Sequence, residues 1–168
     1  MAVYTEVSFD EAADFLQALD LGQLQSLKAC SGGIENTNYF VDTDSGEYVL
    51  TLFERLSFEQ LPFYLQLMKH LAEQGIPVPN PAPDKNGKIL HRLKGKPAAV
   101  VNKLRGASEL APTLAHCTRV GTMLARMHLA GHDFKLHQPN LRGLHWWNAT
   151  LPAVLPNVSA EQRSLLLG

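Results

Sequence analysis

The sequence predicts an α+β fold: a compact five-stranded antiparallel sheet with one helix packed across it, followed by a run of helices. Three observations carry this prediction. Segments with strand-like alternation come in a group of three and a group of two, with a helically spaced stretch before each group. The turn signals at Asp44-Ser45-Gly46 and Gly95 are short, so the strands they join run antiparallel, and Asn86-Gly87 is a strong turn signal just before Lys88. After Leu104-Arg105-Gly106 the alternation gives way to helical spacing.

Each element has its own signal. Ser8 and Glu11 stand three apart as a capping box, and Ala12, Phe15, Leu16 and Leu19 follow at helical spacing. This predicts a helix over Phe9–Leu19 that stops near Gly22. Leu24–Ala29 alternates and reads as a short strand. Asn38–Thr43 and Glu47–Phe53 are strands by alternation and by their Tyr, Phe, Val and Thr content. Pro62 suits a first helical turn, and Phe63, Leu67 and Leu71 mark that helix's apolar face. Gly75 ends it, and Pro77 and Pro79 forbid its continuation. Lys88–Leu93 and Pro97–Lys103 flank Gly95 as the last two strands.

Thr113–Ala130 is the strongest helix, with Val120, Leu124 and Met127 on one face and Gly131 at its end. Residues 132–158 hold Pro139, Pro152, Pro156, Trp146 and Trp147, and read as an irregular, partly packed segment. Ser159 and Gln162 repeat the capping-box pattern, opening a helix that reaches Leu165, Leu166 and Leu167. A helix that finishes in three leucines with no partner element after it leads us to expect that the parent protein continues.

Composition narrows the function classes. At 168 residues the chain suits one domain, or one domain and part of another. Its 15 basic and 16 acidic residues give a net charge of −1, which points to neither nucleic acid nor an anionic membrane. Cys30 and Cys117 are far apart and form no metal-ligand cluster, so two free thiols are expected. The N-terminus carries two early acids and no apolar core of a signal peptide, and no apolar run approaches the length of a membrane span. The expectation is a cytoplasmic protein.

The stretch SGGIENTNYFVDTDSGEYVLTLFE, residues 31–54, is the most informative. A glycine pair leads into a strand, a tight turn follows, and a second strand runs back. Glycine has no Cβ, so such a loop can bring backbone N–H groups close to an anion. It is not a P-loop, since no Gly-Lys-Ser/Thr follows and a strand comes next.

With GIENTNYFV, EYVLTLFE, LPFYLQLMKHLAEQGIPVPNP, GKPAAVVNKLRGAS, HCTRVGTMLARMHLAGHDF and PNLRGLHWW, the chain resembles homoserine kinase of the aminoglycoside-phosphotransferase-like type. The resemblance covers nearly the whole chain, in order. It implies a protein-kinase-like fold, with residues 1–103 as the nucleotide-binding small lobe and 104–168 as the hinge and the beginning of a helical large lobe. It implies ATP and Mg2+ as cofactors and L-homoserine as substrate. Ser31, Gly32, Gly33, Asn36, Thr37 and Asn38 then lie on the phosphate-covering loop, and Asn102, Lys103 and Leu104 match the hinge whose backbone groups bond adenine. Val41 and Val49 become adenine-facing candidates, with plain sheet core as the equal alternative.

Two departures qualify the resemblance. Related kinases carry a Lys or Arg on the third strand that reaches the phosphates, and here that position is Thr51. Lys28 and Arg55 are alternative cations, unranked by sequence, and Glu59 reads as a solvated helix-start acid rather than an ion-pair partner. The catalytic Asp and the Mg2+ ligands of the family are expected downstream of Gly168. His132-Asp133-Phe134…Asn140 imitates the catalytic loop, but its His and Asp are adjacent and its Asn comes too late. His116, His137 and His145 show no metal-ligand spacing. The alternatives are a kinase of the same superfamily for choline, an aminoglycoside or a ketosamine, and a non-catalytic nucleotide-binding or interaction module.

Overall fold

The computed structural model describes residues 4–30 and 34–167. Helix α1 (Phe9–Ala18) starts at the expected capping box. The Ser8 hydroxyl accepts from the Glu11 amide at 3.2 Å, and the Glu11 carboxylate accepts from the Ser8 amide at 2.9 Å. Two orphan donors of the first turn are thereby satisfied. Lys94 also donates to Glu11 at 2.6 Å, and these contacts hold the Glu11 carboxyl down at about 2.

Strands β1 (Leu24–Ala29), β2 (Asn36–Thr43) and β3 (Gly46–Phe53) form an antiparallel meander. After helix α2 (Leu61–Glu73) come β4 (His91–Leu93) and β5 (Lys96–Asn102), and the sheet order is β1-β2-β3-β5-β4. The five antiparallel strands match the expectation. Strand β4 is shorter than expected, for a local reason. Asp84 Oδ1 accepts from the amides of Asn86 and Lys88, so the Asn86-Gly87 turn belongs to a side-chain-closed loop and pairing starts only at His91.

Alternation along the strands gives the sheet two unlike sides. Tyr39 and Val41 of β2, Leu50 and Leu52 of β3, and Ala98 and Val100 of β5 are buried in one cluster with Ala12 and Leu16 of α1 and with Leu19 just after it. On the other side, Leu65 of α2 packs with Ala99 of β5 and Ile89, and Phe53 and Met68 lie against them. A helix therefore covers each side, where sequence led us to expect one. The buried positions of α2 are Leu61, Leu65 and Leu71, which rotates its sheet-facing stripe away from Phe63 and Leu67. Phe63 meets Phe134 instead, with ring centroids 5.8 Å apart.

Helix α3 (Leu114–Gly131) opens on Thr113, whose amide donates to His116 Nδ1 at 3.0 Å. Its far end is fastened to α2. His70 Nε2 donates to the Ala130 carbonyl at 2.8 Å and lies 3.0 Å from Asp133 Oδ1. Among the described residues no helix is long and apolar enough to cross a membrane.

The chain divides into two compact units, Met1–Lys135 and Leu136–Gly168. The second contains helix α4 (Leu144–Val154), a 3-10 turn at Leu155–Asn157 and helix α5 (Ala160–Leu167). Helix α4 corrects the expectation of an irregular segment. Pro152 sits in its last turn, where only one intrahelical donor is lost, and the chain tightens into the 3-10 turn directly afterwards. Trp146 and Trp147 meet edge to face at 5.3 Å, and Arg142 stands 5.8 Å from the Trp146 ring. Ser159 and Gln162 cap α5 reciprocally, as expected.

Candidate functional site

Pairing in the sheet decides which side chains share the side that α2 leaves partly open. Residues directly opposite one another in adjacent antiparallel strands point the same way. Asn38 pairs with Thr51, and Thr51 with Ala99, which makes one row across β2, β3 and β5. Lys28 pairs with Phe40, Phe40 with Val49, and Val49 with Val101, which makes the next. Phe40 is 39% exposed, and Asn38, Val49, Thr51 and Val101 are half-buried. The surface is apolar toward the end of β5 and polar toward the β1–β2 connection. A flat aromatic group and an anion would find opposite ends of it.

Ser31, Gly32 and Gly33, the expected anion-covering residues, lie outside the described residues. Asn36, Thr37 and Asn38, which the resemblance puts on the loop, are the first three residues of β2, a strand that begins two residues before the expected Asn38. Alternation separates them. Asn36 and Asn38 lie toward the open side, and Thr37 is 0% exposed on the other. The Thr37 hydroxyl accepts from the amides of Tyr4 (3.0 Å) and Thr5 (3.2 Å) and donates to Glu54 Oε1 (2.7 Å). A hydroxyl has one donor and two acceptor sites, so Thr37 has no capacity left for a ligand. Its work is structural: it ties the N-terminal segment and Glu54 to the sheet.

The Thr51 hydroxyl donates to Asn38 Oδ1 at 2.8 Å. Val49 is on the open side, and Val41, 0% exposed, is on the α1 side, so the core alternative holds for Val41. Cys30 continues the Asn38 row, since its amide donates to the Asn38 carbonyl at 2.9 Å, and burial pushes its thiol pKa up. Register settles the side of Lys28. Arg55 follows the end of β3, outside the ladder. Glu59 is exposed beside Ser57 at the start of α2, as expected of a solvated acid.

Beyond β5 the backbone is tightly held. The segment before Asp84 runs along β5, with Pro81 bridged to Val101 and the Ala82 amide donating to the Val100 carbonyl at 2.8 Å. Asn102 donates its amide to the Asn80 carbonyl (3.4 Å) and accepts from the Asn80 amide through Oδ1 (2.6 Å). The Lys103 amide donates to the Glu47 carbonyl at 3.0 Å, and its Nζ to Glu47 Oε1 at 2.7 Å, which raises the ammonium pKa. The same ammonium stands 5.3 Å from the Phe40 ring. Leu104, exposed, is the first residue after β5 whose amide has no partner among the described residues.

Sequence reasoning missed Phe40 and Val101 as lining residues. Phe40 was within reach, because it lies two residues from Asn38 and so shares its side of β2. A cavity of about 590 Å³ lined by Val7, Glu11, Ala29, Tyr39 and Lys94 lies on the α1 side and shares none of this surface. Among the described residues no three His, Cys, Asp or Glu side chains converge. Asp133, which sequence compared with a catalytic aspartate, is committed to His70.

Residues 26–167 match the family described as "Phosphotransferase enzyme family". The chain is 74% identical over 168 residues to a homoserine kinase of Polaromonas naphthalenivorans, covering 100% of this chain and 53% of that protein. It is 54% identical over 166 residues to a homoserine kinase of Paraburkholderia phytofirmans, covering 99% and 50%. The chain spans about half the length of the curated relatives it matches. Among solved structures it is similar to spectinomycin phosphotransferase in complex with ADP and spectinomycin, with a TM-score of 0.67 and 14% identity, covering 92% of this chain and 48% of that one.

Proposed function

The chain belongs to the phosphotransferase enzyme family, and from that premise we propose that it is the N-terminal portion of an ATP-dependent kinase for the side-chain hydroxyl of L-homoserine. The observation that carries the reading is the correspondence, over the whole of this chain and about half of each relative, with proteins named homoserine kinase. The open side of the sheet supports it chemically. Phe40, Val49 and Val101 offer apolar walls for adenine, and the Leu104 amide is a donor for its edge. Asn36 and Asn38, at the start of β2, offer neutral donors for phosphate oxygens. Residues 1–103 act as the small lobe in this reading, and 104–168 begin the large one.

In the reaction, the homoserine hydroxyl oxygen bonds to the γ-phosphorus as the bond to the β–γ bridging oxygen breaks, and ADP leaves with that oxygen. The hydroxyl proton needs an acceptor, and no described residue is assigned that role. ATP brings Mg2+ into the proposal, where it would neutralise charge on the phosphates. Its protein ligands are expected downstream of Gly168. What the described residues do is bind and orient the nucleotide. Positioning is a large part of catalysis in phosphoryl transfer, so this is a substantial share of the work.

The test is a coupled ADP-release assay on the full-length protein with homoserine, choline, an aminoglycoside and a ketosamine. ADP release that depends on homoserine is expected, with none from the 168-residue chain alone. Faster turnover of another alcohol would replace the substrate. Nucleotide binding without any alcohol-dependent turnover would favour the non-catalytic module, and robust turnover by the 168-residue chain would overturn the N-terminal-portion reading.

A further inference from the structure

We infer that Thr51 is a positioning residue that acts through Asn38, and that the Asn38 side-chain amide is the group that meets the nucleotide phosphates. The inference rests on the nucleotide reading above and deepens it. Three observations lead to it. The Thr51 hydroxyl donates its single proton to Asn38 Oδ1 at 2.8 Å, so it has none left for a phosphate oxygen. A phosphate oxygen is an acceptor, and the remaining lone pairs of the hydroxyl would repel it. The same bond fixes which way the carboxamide faces: with Oδ1 turned to Thr51, Nδ2 and its two protons are turned away. Among the described residues Nδ2 has no partner, and it is not sealed from solvent.

The two side chains lie directly across from each other on β2 and β3, on the open side, in the row next to the β1–β2 connection. Each therefore supplies half of one device. Without the hydroxyl, the carboxamide can turn over and present Oδ1, which repels an anion. With it, two N–H donors are held outward before any ligand arrives, and the ordering cost of binding falls accordingly. The arrangement supplies a neutral, pre-oriented donor at the row where related kinases place a cation on the third strand. It also explains why a threonine can stand there without touching the nucleotide.

The experiment is a double-mutant cycle on the full-length protein, read by ADP and adenosine affinity in calorimetry. Wild type, Thr51→Val, Thr51→Ser, Asn38→Ala and the Thr51→Val/Asn38→Ala double variant are compared, with thermal unfolding of each apo protein as the folding control. Asn38→Ala and Thr51→Val should each weaken ADP about threefold to tenfold. The double variant should be no weaker than Asn38→Ala alone, Thr51→Ser should bind as wild type, and adenosine affinity should not change. Independent, multiplying losses would show that Thr51 meets the nucleotide itself and would overturn the inference. So would a Thr51→Val protein that binds normally, or an Asn38→Ala protein that does. Equal losses for ADP and adenosine would place Asn38 away from the phosphates. If wild type binds no adenine nucleotide, the nucleotide reading itself fails, and that outcome is separate from any result of the cycle.

Discussion

Glu54 shows how much one side chain can hold. Its carboxylate, 9% exposed, receives the Thr37 hydroxyl and the Lys96 ammonium, and Lys96 also reaches the Thr5 hydroxyl at 2.7 Å. Burial pushes the carboxyl pKa up, but the hydrogen bonds from Lys96, Thr37 and Thr5 outweigh it and hold the pKa below its ordinary value of 4.5. A carboxyl with a depressed pKa in the fold adds stability that is complete above the unfolded value and is lost as pH falls through the folded one. The chain should therefore be less stable at pH 3 than at pH 7. Glu54→Gln should cost about 2 kcal/mol at pH 7, as a charged hydrogen bond to a half-exposed lysine would, and should lose less between the two pH values. Urea unfolding of both proteins at both pH values is the measurement. An acid loss as large in Glu54→Gln as in wild type would assign the effect to other carboxyls, with Glu11 first among them.

Elements are joined by close approaches that sequence marks only as glycine. Gly22, between α1 and β1, has φ +88, and a Cβ there would lie 2.1 Å from Asp44 Oδ1 and 2.5 Å from Ser45 Oγ. The Asp44 carboxylate cannot simply retreat, because it accepts from the Gln23 amide at 2.8 Å and so ties the β2–β3 turn to the start of β1. Gly22→Ala combines left-handed strain with a clash, and should cost about 2 kcal/mol. Thermal unfolding checks it. A change under about 0.5 kcal/mol would mean that the turn moves aside freely, since an exposed, unstrained substitution stays within that range.

For the whole chain, burial is uneven. Among the described residues, the buried ones belong to the sheet, to α1 and α2, and to the segments flanking them. Helix α3 has none, and Leu114, Val120, Leu124 and Leu129 are all exposed. Apolar surface on that scale favours association. Sedimentation velocity on the 168-residue chain should show dimers or larger species that grow with concentration. Val120→Glu/Leu124→Glu should reduce them without disturbing the sheet's circular dichroism. A monomer at every concentration would mean that these side chains are covered in solution by the chain itself.

By itself, the sequence determined what a few neighbouring residues can settle. Capping boxes at Ser8 and Ser159 act within one helical turn, and the Thr43-to-Gly46 and Leu93-to-Lys96 turns act within four residues. These local rules were enough for five strands in antiparallel order. They were not enough for α4, where Leu144, Trp147, Leu151 and Leu155 keep helical spacing but the prolines argued louder. Nor could they tell Thr37 from Asn38, which are adjacent and both polar. Tertiary structure made that distinction. Helix α1 and the N-terminal segment claim one side of β2, burying Thr37 beneath Tyr4 and Thr5, and Asn38 is left facing outward opposite Thr51. Strand alternation fixes that neighbours diverge, but which of them meets solvent depends on what packs from far along the chain.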